Sequence, residues 1–166
     1  ANTTASNNVA VGKCALRCNT TGADNTAVGT LALAANTTAN GNSAFGRCAL
    51  RDNTTGAANN AFGTESLDAT TSGGCNNAFG NAALGSNSTG ACNVAMGHLA
   101  LYANTTADNN TAVGFESLKA NTTASNNTAV GLRTLLANTT GTKNIAIGAN
   151  SLDANTTASN NVAIGF

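Results

Sequence analysis

The sequence predicts an all-β fold: a parallel β-solenoid (a β-roll or β-helix) that turns once every 17 residues and holds about ten coils. Three observations predict it. Ten glycines (Gly12, Gly29, Gly46, Gly63, Gly80, Gly97, Gly114, Gly131, Gly148 and Gly165) recur at that one interval with no insertion or deletion. A period held without slippage marks one structural unit stacked on copies of itself. The unit is too short for two helices and their turns, and it is rich in Asn, Thr and Gly, which are poor helix formers. Charged residues make up only 8% of the chain, and they fall in a few places of the repeat.

Slots are numbered 1 to 17 from Ala1. The array 1–166 then reads as a single uncapped run whose coils begin at residues 1, 18, 35, 52, 69, 86, 103, 120, 137 and 154. Slots 2 to 4 read Asn-Thr-Thr in most coils, a turn that can carry a short third strand. Slot 8 is Asn in every coil: Asn8, Asn25, Asn42, Asn59, Asn76, Asn93, Asn110, Asn127, Asn144 and Asn161. Slots 8 to 12 (Asn-x-Ala-Val-Gly in many coils) are short, partly β-branched and bounded by turn residues, which fits a strand. Slot 10 is Ala throughout. Slot 11 is large and apolar throughout: Val11, Val28, Phe45, Phe62, Phe79, Met96, Val113, Val130, Ile147 and Ile164. Glycine at slot 12 turns a corner that other residues would strain. A second short strand is expected around slots 14 to 17, where slot 16 is Leu from Leu16 to Leu152.

Charge placement separates the packed part of the coil from its edges. All seven basic residues lie in slots 7, 13, 14 or 17, and all seven acidic ones in slots 1, 6, 7, 14 or 17. Burying an unpaired charge is costly, so slots 2 to 5, 8 to 12, 15 and 16 form the packed part. The Leu16 and Val11 columns are expected inside. Strand alternation then puts Ala10 and its equivalents on the opposite face. Ten alanines on an outward face suggest a close neighbour, either another protomer or another wall of the same coil.

In such a stack each slot becomes a column about 4.8 Å from coil to coil, and ten coils make a rod about 48 Å long. Like side chains then lie over one another, as in cross-β stacks. The slot 8 asparagines are expected to form a structural ladder, each amide bonding to its neighbour in the next coil and satisfying buried polar groups at a turn. The Thr columns at slots 3 and 4 can do the same with hydroxyls.

Composition excludes several classes. Net charge is zero, so nothing points to nucleic acid or an anionic membrane surface. No stretch approaches the ~18 apolar residues of a membrane helix. Asn/Thr/Gly-rich, low-charge composition is compatible with disorder, but the strict period and regular apolar positions argue against it. No signal peptide is visible and the chain does not start with Met. It reads as a processed chain or a piece of a longer array.

Sequons Asn-x-Ser/Thr are abundant. The slot 2 set, Asn2, Asn19, Asn36, Asn53, Asn87, Asn104, Asn121, Asn138 and Asn155, are candidate N-glycan acceptors, and Asn109 and Asn126 add two more. The alternative for slot 2 is an Asn/Thr turn ladder. Thr70 replaces Asn in one coil while Thr71 and Ser72 remain, which favours that structural use. Five cysteines occur. Cys75 and Cys92 share slot 7 in adjacent coils, a spacing within disulfide range. Cys14 and Cys18 can pair across a corner, whereas Cys14 and Cys48 share slot 14 two coils apart, too far for a bridge. A bridge would fit an oxidising compartment. No Cys/His spacing suggests zinc. The single histidine, His98, sits in the variable slot 13 without a partner by column, so general acid–base catalysis is not expected of it. No cofactor is expected.

The segments Asn-Thr-Ala-Val-Gly (Asn25 to Gly29, Asn110 to Gly114, Asn127 to Gly131) and Asn-Val-Ala-Ile-Gly (Asn161 to Gly165) look like the repeats of trimeric autotransporter adhesin heads, whose own repeat is shorter. The full unit from Gly12 to Val28 more closely resembles repeats of bacteriophage tail fibres and related bacterial surface proteins. This resemblance covers the whole chain. It implies repeat architecture, and a shaft or head that belongs to a larger binder.

Three functions are therefore weighed. The first is a structural extracellular fibre, self-associating head to tail or as a lateral trimer and carrying glycans. The second is the shaft of a phage or viral tail fibre or trimeric adhesin at a cell or virion surface, involved in host attachment. The third is an ice-binding solenoid. The third is weaker because Thr3 and Thr4 in a strand would point to opposite faces. An enzyme is least expected.

Overall fold

The computed structural model describes residues 3–166 and contains ten β-strands and no helix among them. The strands are β1 (Val9–Val11), β2 (Thr26–Val28), β3 (Ser43–Phe45), β4 (Asn60–Phe62), β5 (Asn77–Phe79), β6 (Val94–Met96), β7 (Thr111–Val113), β8 (Thr128–Val130), β9 (Ile145–Ile147) and β10 (Val162–Ile164). They form one parallel sheet in sequence order. Each strand pairs with the next in the same register, as Ala27 with Ala44 and Val28 with Phe45. One strand per 17-residue coil, stacked in order, is a parallel β-solenoid. Bonds run both ways from each coil: Thr26 donates its N–H to Asn42 O (2.8 Å), and Gly29 donates to Val11 O (2.8 Å).

Slot 12 shows why the period never slips. Its glycines have φ from +122° to +143°. A Cβ built on Gly63 would lie 2.4 Å from Gly80 O in the next coil. Only glycine both reaches this φ without strain and allows the coils to stack this closely.

Slots 12 to 17 are turns, not the second strand expected there. The segment closes three successive i to i+3 bonds: Ala32 N–H to Gly29 O, Ala34 N–H to Leu31 O, and Asn36 N–H to Leu33 O. Between them, Leu33 N–H crosses to Ala49 O and Ala35 N–H to Arg51 O of the next coil. Slots 14 and 16 have positive φ, as at Leu31 (62°) and Leu33 (49°). They are the third residues of the first two turns, where a type II turn keeps φ positive. A residue in that conformation cannot continue an extended strand. Slots 2 to 4 likewise form bends rather than a third strand. The N–H groups of Thr20, Thr21 and Gly22 all converge on Thr37 O.

The core reverses one expectation and meets another. The slot 16 leucines are inside, with Leu33, Leu50, Leu67, Leu84, Leu101, Leu118 and Leu135 fully buried. Slot 10 is also inside: Ala27, Ala44, Ala61, Ala78, Ala95, Ala112, Ala129 and Ala146 are fully buried and share one cluster with the leucines and the small slot 15 residues. Slot 11, expected inside with the leucines, faces outward. Val11 is 56% exposed, Met96 45% and Ile164 75%. Alternation across the strand holds, but its sense is inverted. A coil this narrow has room for one large side chain. Leucine takes it, and the facing wall must be alanine. The close neighbour of the Ala column is therefore another wall of the same coil.

Candidate functional site

Two features organise the molecule beyond its core: the asparagine columns at one side of the coil, and the outer face of the sheet.

Slot 8 is a complete ladder, but the expected amide-to-amide bond is made at only some of its steps, and a side-chain-to-backbone bond carries the rest. In every step the side-chain Oδ1 of one Asn accepts the backbone N–H of the next. Asn25 N–H to Asn8 Oδ1 is 2.9 Å, Asn59 N–H to Asn42 Oδ1 is 2.9 Å, and Asn161 N–H to Asn144 Oδ1 is 3.0 Å. The Nδ2 donates onward to the slot 5 carbonyl of the next coil, as Asn76 Nδ2 to Gly90 O (2.8 Å) and Asn93 Nδ2 to Ala107 O (2.8 Å). Direct amide contacts add to this in some coils, as Asn93 Nδ2 to Asn76 Oδ1 (3.2 Å). Asn110 Nδ2 is buried without a partner. Only Asn, with donor and acceptor at this reach, can satisfy both groups. Slot 8 is accordingly buried from Asn25 to Asn144.

A second amide-to-amide ladder lies at slot 2. Asn36 Nδ2 donates to Asn19 Oδ1 (2.8 Å), Asn104 to Asn87 (2.8 Å), Asn121 to Asn104 (3.1 Å) and Asn138 to Asn121 (3.1 Å). The same Nδ2 atoms donate to the slot 5 carbonyl of their own coil, as Asn19 to Gly22 O (2.9 Å) and Asn53 to Gly56 O (2.9 Å). Gly22 O thus receives both Asn8 and Asn19.

This corrects the glycan expectation at slot 2. Asn19, Asn36, Asn53, Asn87, Asn104, Asn121 and Asn138 are buried, and their Nδ2 protons are used inside the coil. Asn155, at the last coil, is half-buried and makes the same two bonds. Asn2 lies outside the described residues. The sequons at Asn109 and Asn126, in slot 7, are exposed.

Thr70 is the exception that shows how the slot 2 column works. Asn87 Nδ2 reaches Thr70 Oγ1 at only 3.5 Å, and Asn53 Oδ1 is left buried without a partner. Slot 3 makes a hydroxyl ladder. Thr20 Oγ1 donates to Thr37 O (2.9 Å), and Thr71 Oγ1 to Ser88 O (3.2 Å). Slot 4 is exposed, as at Thr21, Thr38 and Thr55.

All five cysteines are free thiols, Cys75 and Cys92 among them. The expected Cys75–Cys92 bridge is not formed. Both residues are exposed in neighbouring coils. Cys14 and Cys18 are half-buried, and Arg17 between them is raised above its ordinary pKa mainly by hydrogen bonding to Cys18.

Charges pair along the rod at its edges. Arg47 pairs with Glu65, and Arg51 with Asp52 (3.0 Å) and Asp68 (3.3 Å). Burial raises the Asp68 carboxyl above its usual value, against the pull of Arg51. Glu116 accepts from Lys119 (2.7 Å) and Arg133 (2.9 Å), which hold its carboxyl below the usual range. His98 stands 5.5 Å from the Phe115 ring, and the Arg133 guanidinium lies 5.9 Å from the same ring. Among the described residues, no three of His, Cys, Asp and Glu come together as a metal site, and no helix is long and apolar enough to cross a membrane.

The outer face of the sheet was missed by sequence reasoning. Slots 9 and 11 point outward from β1 to β10 and carry no charge in any coil. Phe45, Phe62 and Phe79 stack with centroids 4.7 and 4.8 Å apart and nearly parallel planes. Because the rings stack along the rod, their edges face solvent, so the column is not a flat platform for sugar rings. The signal for this face was present in the repeat: slot 11 drifts among Val, Phe, Met and Ile, while slot 10 never changes.

Comparison with protein-family models, curated proteins and solved structures finds no match.

Proposed function

We propose that this chain is a structural rod that serves as a segment of an extracellular or surface fibre. The observation that supports this reading is the unbroken register. From coil to coil the same slots meet, and the slot 8 asparagine bonds the next coil's backbone at every step. Interior and polar side chains are thus spent on stacking, which makes length and stiffness the product of the sequence. A stack of this kind can be extended by further coils at either end without altering any slot. The resemblance to tail-fibre and adhesin repeats is consistent with such a shaft. A lateral assembly cannot use the Ala column, which is interior; the slot 11 column is the outward one that is apolar in every coil. Sugar at slot 2 is no part of this reading. Asn109 and Asn126 are the exposed sequons where it leaves room for N-linked glycan.

Electron microscopy of the protein from its native source tests the proposal. Uniform filaments much longer than the ~48 Å of one ten-coil chain are expected. Dispersed particles no longer than one chain at high concentration would overturn it.

A further inference from the structure

The outer sheet face runs the length of the molecule and is uncharged in slots 9 and 11. With slot 13 as its rim it covers about 48 Å by about 14 Å, or roughly 700 Å². Slot 11 is apolar in every coil, while slot 9 mixes Val and Ile with Thr, Ser and Asn, and slot 13 carries Lys13, Arg47 and His98 beside Phe115 and Leu132; a stable interface buries about 800 Å² per partner. The face is therefore close to the size a lasting contact needs.

Its occupant can be read from the order of sizes along slot 11. Bulky Phe is confined to coils 3 to 5, Val and Met occupy coils 6 to 8, and Ile ends the column. We propose that a second copy of this chain packs on this face with its rod antiparallel, about a two-fold axis along the strands. Coil n then faces coil 11−n, and each slot faces itself. Phe45 meets Val130, Phe62 meets Val113, and Phe79 meets Met96. Toward the ends Val28 meets Ile147 and Val11 meets Ile164. Each Phe faces a smaller side chain, and every pair has a similar combined size, which is what face-to-face sheets about 10 Å apart require. At the rim, the cations Lys13 and Arg47 face Phe166 and Leu132 rather than each other. A parallel pair matched coil for coil would set the Phe coils against one another and leave a gap at the Val coils. The proposal goes beyond the fibre reading, since rods can join end to end without it.

Sedimentation of the full chain and two variants tests both contact and orientation. Wild type is expected as a pair, or as filaments of double mass per unit length. Phe45→Lys and Val130→Glu should each halve that mass with an unchanged far-ultraviolet spectrum, since both positions are on the outer face. Mixing the two variants, or combining them in one chain, should restore it, because residue 45 of one copy meets residue 130 of the other. Within one chain these residues are five coils apart and cannot compensate each other. A single-rod wild type, single variants that pair normally, or the absence of rescue would each overturn the antiparallel pair. Filaments whose mass per length ignores Phe45→Lys would overturn it while leaving the fibre reading standing.

Discussion

Ala78 and Phe79 are neighbours on β5 and meet opposite surroundings. Ala78 is fully buried against the leucine column, whereas Phe79 is 39% exposed. The same contrast repeats along the rod. The inner column is alanine in every coil, and the outer one accepts Val, Phe, Met or Ile. The slot 10 position faces the leucine column across a narrow coil and admits only alanine. Within one chain an outer position packs mainly on the residues above and below and admits several. Confinement shows as invariance, not as bulk, and a large apolar residue need not be inside.

The inner side should be sensitive in proportion to how little it can relax. Leu84→Ala removes the single large apolar side chain buried in its coil, and the fixed stacking distance prevents collapse around the cavity. A loss of about 2–5 kcal/mol is expected, read as a lower denaturation midpoint. A loss within experimental error would mean that Leu84 is not confined. The polar wall comes next. Asn93→Ala leaves Asn110 N–H without its acceptor and Ala107 O with Asn104 Nδ2 as its remaining donor, which costs about 1–3 kcal/mol. Amide hydrogen exchange should speed up at Asn110 itself; unchanged protection there would break the ladder. The smallest effect has the opposite sign. Thr70→Asn supplies the partner that Asn53 Oδ1 lacks and completes the slot 2 column. A gain of about 1 kcal/mol is expected, visible as a higher melting temperature. A loss would show that slot 2 does not depend on amide pairing.

Much of this was legible in the repeat. The 17-residue coil, glycine at slot 12, the buried leucines and the structural role of Asn at slot 8 all follow from slots that never vary. The facing of slots 10 and 11 was not, because alternation assigns two faces without saying which one is inward, and by size Val11 is the better core residue than Ala10. The turns at slots 14 and 16 were also hidden. Leucine rarely adopts positive φ, so nothing in Leu33 or Leu50 announces the conformation that the stacked coils impose. At slot 2 one pattern, Asn-Thr-Thr, serves both a sequon and a ladder. Only the burial of Asn36 and Asn53, with their amides already bonded, separates the two.

The most direct measurement compares Ala78→Val with Phe79→Val in one denaturation experiment, at a protein concentration where chains do not associate. Ala78→Val forces two methyl groups into the space against the leucine column and should cost about 1–3 kcal/mol. Phe79→Val places on the outer face a residue that slot 11 already holds in other coils, and should change stability by no more than about 0.5 kcal/mol. The reverse order, with Phe79→Val costly and Ala78→Val neutral, would put slot 11 inside the coil and contradict the account.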